Sequence, residues 1–316
     1  MKHLLEQAEV PIPNGDIIRT ERGLKEVIED IGYPIVIKPV NGNHGRGITT
    51  NIKNVDDALI AFAAAKEISR LVIVEKYVVG EDFRILVINN KIVAAAKRSP
   101  AQVVGDGKST IQELGDKVNE DPRRGFGHEK VLTKIDINNL TLELLKENNL
   151  TPDSVIRKGE LVKLKNTANL STGGTAEDVT DLVHPTNVFM AERISKIIDL
   201  DICGIDIMAE TLTKPIENTG GAVLEVNAGP GFRMHLQPSS GLPRNVASNV
   251  VDMLFPPGED SRIPIIAVTG TNGKTTTTRL IAHIAKMRGK KVGYTTSDGV
   301  YIQNRLLMKG DCTGPA

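Results

Sequence analysis

Asp206 sits inside the apolar run Gly204-Ile-Asp-Ile-Met208, where a strand would otherwise bury hydrophobes. Glu225 and Asn227 sit likewise in Leu224-Glu-Val-Asn-Ala-Gly-Pro-Gly231. An ionised carboxylate among apolar neighbours is costly unless it is paired or coordinated. Glu225 and Asn227 are two residues apart, so one face of a strand presents both. Two carboxylates and an amide oxygen are hard ligands of the kind Mg²⁺ takes when it bridges nucleotide phosphates. The blander reading, carboxylates at solvated strand ends, sits badly with these flanks. The spacing predicts an antiparallel pair, 202–209 and 221–227, joined through Lys214 and Pro215 and holding Mg²⁺ on Asp206, Glu225 and Asn227.

Phosphate-type loops recur elsewhere. A short buried strand, Tyr33–Pro39, ends near Lys38 and runs into a glycine-rich loop with Gly42, Gly45, Arg46 and Gly47. Glycines let backbone N–H groups approach phosphate oxygens while an ammonium neutralises them. Taken alone, a hairpin tip with a solvated lysine is the commoner explanation of such a loop. The stretch Glu75–Arg84 adds backbone at Glu75, Lys76 and Val78 for an adenine edge and a carboxylate, Glu81, for ribose hydroxyls. A second loop, Ala267–Thr276, lies between an expected strand at 263–268 and an expected helix at 274–288 that uses Leu280, Ile281, Ile284 and Ala285. Its Gly270, Thr271, Asn272, Gly273, Lys274, Thr275 and Thr276 form a nucleotide-binding turn, with Lys274 for phosphate and Thr275 for Mg²⁺. Val268 stands where a strict P-loop has its first glycine.

Composition narrows the class. Lys and Arg together number 39, as do Asp and Glu, so the net charge is zero and nucleic acid or a membrane surface is not the expected partner. Four Tyr, six Phe and no Trp are too few for a base-stacking platform. Two cysteines, Cys203 and Cys312, exclude a disulfide framework and a zinc cluster. No apolar stretch reaches the roughly 18 residues of a membrane span, and the start carries no signal-peptide core, so a cytoplasmic home is expected. Helices are predicted at 21–31, 55–67 and 185–199, and a hairpin across 83–97 turning at Asn89-Asn90. Residues 98–168 read as a polar insert, and Phe255–Arg262 as the clearest linker. The expected domains are 1–255, a linker at 256–262, and 263–316.

With these residues in hand, the chain resembles the ATP-grasp ligases through Val36-Ile-Lys-Pro39, the glycine loop, Glu75–Arg84, the Asp206 strand and Glu225-Val-Asn227. More narrowly, Asn169-Leu-Ser-Thr-Gly-Gly-Thr175, Leu224–His235, Gly241–Val246 and Met253–Gly258 resemble the cyanophycin synthetase family, over essentially the whole chain. The resemblance implies an α/β (α+β ATP-grasp) fold with antiparallel sheets, followed by the first βα units of a Mur-ligase-like domain. It implies ATP and Mg²⁺ as cofactors, and aspartate, arginine and their polymer as substrates, with a homo-oligomer left open. Lys38 and Arg233 are then the expected catalytic residues, Arg233 contacting acyl phosphate or carboxylate. Asn169, Ser171, Gly173 and Gly174 are expected to line the substrate site. Related ligases often carry an arginine shortly before that asparagine; here Thr167 and Ala168 precede it, with Lys165 nearby. The family also implies an amino-terminal subdomain and later Mur-type domains, so the sequence reads as a fragment of a longer enzyme. Two rivals stand beside this reading: another peptide ligase of the glutathione-synthetase kind, and a truncated nucleotide-binding chain without complete activity.

Overall fold

A computed structural model describes residues 1–41, 47–127, 129–259 and 261–313, so Gly42, Gly45 and Arg46 lie outside the described residues. Two compact units, Met1–Pro257 and Gly258–Ala316, are taken in turn. The first opens with helix α1 (Lys2–Gln7), strand β1 (Gly15–Ile18), α2 (Glu21–Ile31), β2 (Ile35–Pro39), β3 (Thr49–Ile52), α3 (Val55–Ile68) and β4 (Val72–Lys76). Thr20 caps α2 through Gly23 N–H, and Gly32 ends it with φ 63°. The four strands form an antiparallel sheet in the order β1-β4-β2-β3. Leu24 of α2 and Ala58, Ala61, Phe62 and Ala65 of α3 cover it, closing a core with Ile35, Ile37, Val72 and Val74.

The chain continues through β5 (Glu81–Ile88) and β6 (Lys91–Ser99), joined at Asn89 and Asn90, both at positive φ. Such a two-residue turn matches the twist of a hairpin. Residues from Ala101 to Leu164 then form a small body of their own: β7 (Gln102–Val104), α4 (Ile111–Asn119), β8 (Arg124–Gly125), β9 (Leu132–Thr133), α5 (Asn139–Glu147) and β10 (Leu161–Lys163). It has a separate core of Val103, Ile111, Leu114, Ile135, Leu145, Ile156, Val162 and Leu164. Next come β11 (Thr175–Asp178), α6 (Pro185–Ile198), β12 (Ile202–Ala209), β13 (Ala222–Asn227), α7 (Arg233–Leu236) and α8 (Val246–Leu254).

The central sheet has the order β11-β6-β5-β12-β13, antiparallel throughout. Strand alternation sorts its two faces. Phe83, Ile85, Val87, Cys203, Ile205, Ile207 and Val223 face a core that also takes Leu5 of α1 and Ala191 and Ile194 of α6. On the other face, Leu86, Ile88 and Ala94 pack with Val246 of α8. That same face carries Asp82, Arg84 and Asp206 farther along the strands, and the site grows from there.

In the second unit, helix α9 (Lys274–Met287) follows the glycine loop, and β14 (Gly293–Thr296), β15 (Gly299–Ile302) and β16 (Arg305–Lys309) form a three-stranded antiparallel sheet. Two expectations are corrected. Residues 263–268 are not a strand, and Ile263, Ile265 and Ile266 are exposed. β-propensity makes a strand only where a partner completes the ladder, and no described strand pairs with this run. Leu280 and Ile284 of α9 are exposed as well, with Ala282 its one buried residue. Among the described residues, no helix is long and apolar enough to cross a membrane.

Candidate active site

Register brings the charged strand residues together. Asp206 on β12 stands opposite Arg84 on β5 and Glu225 on β13, so three ionisable side chains share one row across the sheet. Asp82, two residues before Arg84, stands opposite Arg98 on β6. Arg84 grips Asp206 at both oxygens, through Nε to Oδ1 and through Nη2 to Oδ2 at 2.8 Å. Arg98 reaches Asp206 Oδ1 at 3.3 Å and donates from Nε to Asp82 at 2.7 Å. Asn227 donates to Asp206 Oδ2 at 3.3 Å and to Glu225 Oε1 at 2.8 Å. The three residues read as metal ligands therefore form one hydrogen-bonded cluster. Asp206 is buried at 7% exposure, whereas Glu225 is exposed and Asn227 half-buried.

Arg84, Arg98 and Asp82 are absent from the sequence-level site. Their signal was the period-2 spacing of Asp82 and Arg84 in an otherwise apolar strand, the same kind of mark that singles out Asp206. Burial, with Asp206 adding repulsion, pushes the Asp82 carboxyl up to about 6 against the pull of Arg98. Burial opposes the Arg98 charge, but Asp206 and Asp82 outweigh it and raise its pKa. His235 of α7 is 2% exposed, and neither ring nitrogen has a hydrogen-bond partner. Burial, then repulsion from Arg84, pushes it down to about 4, so it is neutral.

Lys38 lies at the end of β2, and its ammonium pairs with Glu75 of β4 at 2.8 Å. Glu75, 4% exposed, also takes the Lys2 ammonium. Lys38, Glu75 and Glu225 line one cavity of about 390 Å³, together with Ile17, Ile73 and Leu224. The cleft thus joins the N-terminal sheet to the edge of the central one. The Lys76 ammonium donates to the Ile31 and Tyr33 carbonyls, holding the end of α2. Val78 is half-buried and Glu81 exposed, the latter pairing with Lys97 at 3.2 Å. Gly47, at φ 70°, abuts Pro39 and Ile68.

The loop Asn169–Gly174 is a tight turn. The Asn169 carbonyl accepts from Thr172 and Gly174 N–H, and Gly173 adopts φ 93°. A Cβ on Gly174 would stand 2.7 Å from the Asn169 and Ser99 carbonyl oxygens, so only glycine fits. Leu170 packs with Ala96 and Met234, beside Arg233. Arg233 donates to the Lys130 carbonyl at 3.3 Å. Buried Arg124 donates to the carbonyls of Gly173 and Thr133, fastening this loop to the insert. Ser171 lines a second cavity, away from the Lys38 cleft.

In the second unit, Gly273 at φ 78° caps α9, Gly270 has φ 146°, and the Lys274 ammonium folds back on the Gly270 carbonyl at 2.9 Å. Thr275 Oγ1 lies 3.4 Å from Ser297 Oγ. Thr271, Asn272 and Thr276 are exposed around this helix start.

Both units have counterparts among known protein families. Residues 1–119 match the RimK-like ATP-grasp domain family, and residues 268–311 match the Mur ligase middle domain family. The chain is 54% identical to a cyanophycin synthetase of Synechocystis sp. over 99% of its length and 36% of that protein. It is 56% identical to one of Crocosphaera subtropica over the same shares. It therefore spans about a third of the length of the relatives it matches. Among solved structures, a bifunctional glutathione synthetase from Pasteurella multocida superposes with a TM-score of 0.59 at 33% identity, over 81% of this chain and 35% of that one. The antiparallel sheets and these likenesses give the first unit an ATP-grasp fold, and the chain is similar along nearly its whole length to about a third of the length of the cyanophycin synthetases, with residues 268–311 similar to the Mur ligase middle domain.

Proposed function

We propose that the first unit binds Mg-ATP in the Lys38–Glu75–Glu225 cleft and forms an amide at a polymer end, adding aspartate to cyanophycin. The observation that carries this reading is the hydrogen-bonded cluster of Asp206, Glu225 and Asn227, whose outermost member lines the same cavity as Lys38. Two carboxylates and an amide suit Mg²⁺, which keeps several non-protein ligands and takes one or two carboxylates plus phosphate oxygens. Asp206, Glu225 and Asn227 would hold the ion, which when bound neutralises phosphate charge. Lys38 and the glycine loop hold the phosphates, Glu75 and Val78 offer backbone to the base, and Glu81 takes the ribose.

In the proposed reaction, a carboxylate oxygen at the polymer end attacks the γ-phosphorus and ADP leaves. The aspartate amine then attacks the acyl carbon, phosphate leaves, and the nitrogen loses a proton. Positioning and charge neutralisation supply most of such catalysis. Arg233, held beside the Asn169–Gly174 loop, is the proposed contact to the acyl phosphate. Arg84 and Arg98 fix the Asp206 carboxylate from beneath. The Lys274–Thr276 turn is proposed to take a second nucleotide, serving arginine attachment to the aspartate side chain in the longer enzymes. The glutathione synthetase likeness favours a second reading, ligation of an amino acid to a small peptide, although identity is lower there than to the cyanophycin synthetases. Phosphate release from ATP decides between them: aspartate with an aspartate–arginine primer should stimulate it, and glycine with a glutamyl-cysteine dipeptide should not. The reverse pattern overturns the proposal.

A further inference from the structure

The insert has its own core between Ala101 and Leu164, so it is a body that must be docked on the central sheet. Three guanidinium–carbonyl hydrogen bonds join its 123–133 segment to the rest of the unit. Arg123 Nη1 donates to Ser239 O at 3.2 Å, Arg124 Nη1 to Gly173 O at 3.0 Å, and Arg233 Nη1 to Lys130 O at 3.3 Å. Of the three only the second is buried, with Arg124 5% exposed. The same Nη1 donates to the Thr133 carbonyl of β9 at 2.6 Å, so one nitrogen spans a carbonyl of the insert and a carbonyl of the Asn169–Gly174 loop. Burial works against the Arg124 charge, and Asp121, the acid that favours it, is itself paired with Arg123 at 2.8 Å. A neutral donor would hold a carbonyl without that cost, whereas a charged donor makes a bond about twice as strong. A second contact meets the same residue. Gly173 ends the short turn Leu170–Thr172 at φ 93°, and Ile135 Cγ1 lies 2.8 Å from where its Cβ would stand. Ile135 is fixed in the insert by Asn119 of α4, which accepts from its N–H at 2.7 Å and donates to its carbonyl at 2.8 Å.

We propose that Arg124 is a positioning residue that sets the Asn169–Gly174 loop to the insert, so that the loop takes its substrate-receiving shape only while the insert is docked. The inference rests on the ligase reading above, in which that loop lines the substrate site, and adds which part of the molecule controls it. Arg124 acts through the Gly173 carbonyl and not on the reacting groups. A polymer end bound by the loop and a docked insert then stabilise each other, because each favours the same arrangement. Nucleotide held at Lys38 lies outside this coupling.

Two measurements on the whole chain test this: hydrogen exchange followed by mass spectrometry, and phosphate release from ATP with aspartate and an aspartate–arginine primer. The amides of Thr172, Gly173 and Gly174 bond to the Asn169 and Leu170 carbonyls, so their exchange reports the loop. In the wild-type chain, rising urea should open residues 122–134 and 169–175 at one concentration, below that which opens the insert core around Leu114 and Leu145. Arg124→Met should speed exchange at the three loop amides about 10-fold and leave Leu114 and Leu145 within about 2-fold of wild type. The same variant should raise the KM for primer about 10-fold and leave the KM for ATP unchanged, a split that general loosening would not produce. Separate opening of the two segments in the wild-type chain, which needs no variant, overturns the proposal. So does an Arg124→Met chain whose loop exchange is unchanged, whose loop and insert core loosen together, or whose primer KM rises no more than its KM for ATP. A wild-type chain that releases no phosphate in response to aspartate and primer would instead strike the ligase reading, and the exchange measurements would still decide the role of Arg124.

Discussion

Replacing Asp206 with asparagine isolates what the buried charges contribute. Asp206, Arg84 and Arg98 are each under 9% exposed, and Arg84 spends two nitrogens on the one carboxylate. The amide keeps the size of the side chain but removes the charge, leaving Arg98 with Asp82 and Arg84 with no carboxylate partner. Removing one member of a buried pair costs about 3–5 kcal/mol, because the surviving ion stays desolvated. For a unit of this size, about 2–4 °C of Tm accompanies each kcal/mol, so Asp206→Asn should melt on the order of 10 °C lower. Removing both partners should do far less. The double variant Arg84→Met/Asp206→Leu retains the Arg98–Asp82 pair and should unfold within about 2 kcal/mol of wild type. Urea unfolding of the full chain, followed by far-ultraviolet circular dichroism, measures all three. Asp206→Asn as stable as wild type, or the double variant worse than the single, would refute the reasoning.

Two further outcomes follow from other parts of the structure. His235 has a folded-state pKa of about 4 against an ordinary 6.5, so its stabilising contribution is present above pH 6.5 and lost as pH falls toward 4. The loss should amount to about 3 kcal/mol over that window, and His235→Leu should remove this component from the pH dependence of urea midpoints. At Gly173, φ is 93° and an added Cβ would stand 2.8 Å from Ile135 Cγ1, whereas Gly127, at φ 56°, has open space. Gly127→Ala should cost about 1 kcal/mol for the backbone alone, and Gly173→Ala about 1–2 kcal/mol more for the contact, read as a difference in Tm.

Much of the first unit was legible because local signals and tertiary packing agree there. The 3.6-residue spacing of Leu24, Val27, Ile28 and Ile31, stopped by Gly32, marks α2 at both ends. The Asn89-Asn90 pair marks the hairpin because its left-handed backbone suits asparagine. Asp206, Glu225 and Asn227 stood out because each breaks an apolar strand, and register then brings them into hydrogen-bonding contact. Arg84 and Arg98 escaped notice because a charged strand residue takes its meaning from the neighbouring strand, and strand order cannot be read from spacing. The run 263–268 has the hydrophobicity of a buried strand, but hydrophobicity does not supply the ladder partner. The insert looked merely polar because its small core is spread over short elements with no sustained period.

The claim that Asp206, Glu225 and Asn227 hold Mg²⁺ on a nucleotide bound beside Lys38 is tested most directly by nucleotide affinity with and without the ion. Glu225 is the ligand to change, since it is exposed and its loss leaves no buried ion unpaired. A non-hydrolysable ATP analogue should bind the wild-type chain about 10-fold or more tightly with Mg²⁺ than without it, and Glu225→Gln should erase most of that gain. Equal affinity in the presence and absence of Mg²⁺, or a Glu225→Gln chain that keeps the full gain, would contradict the account.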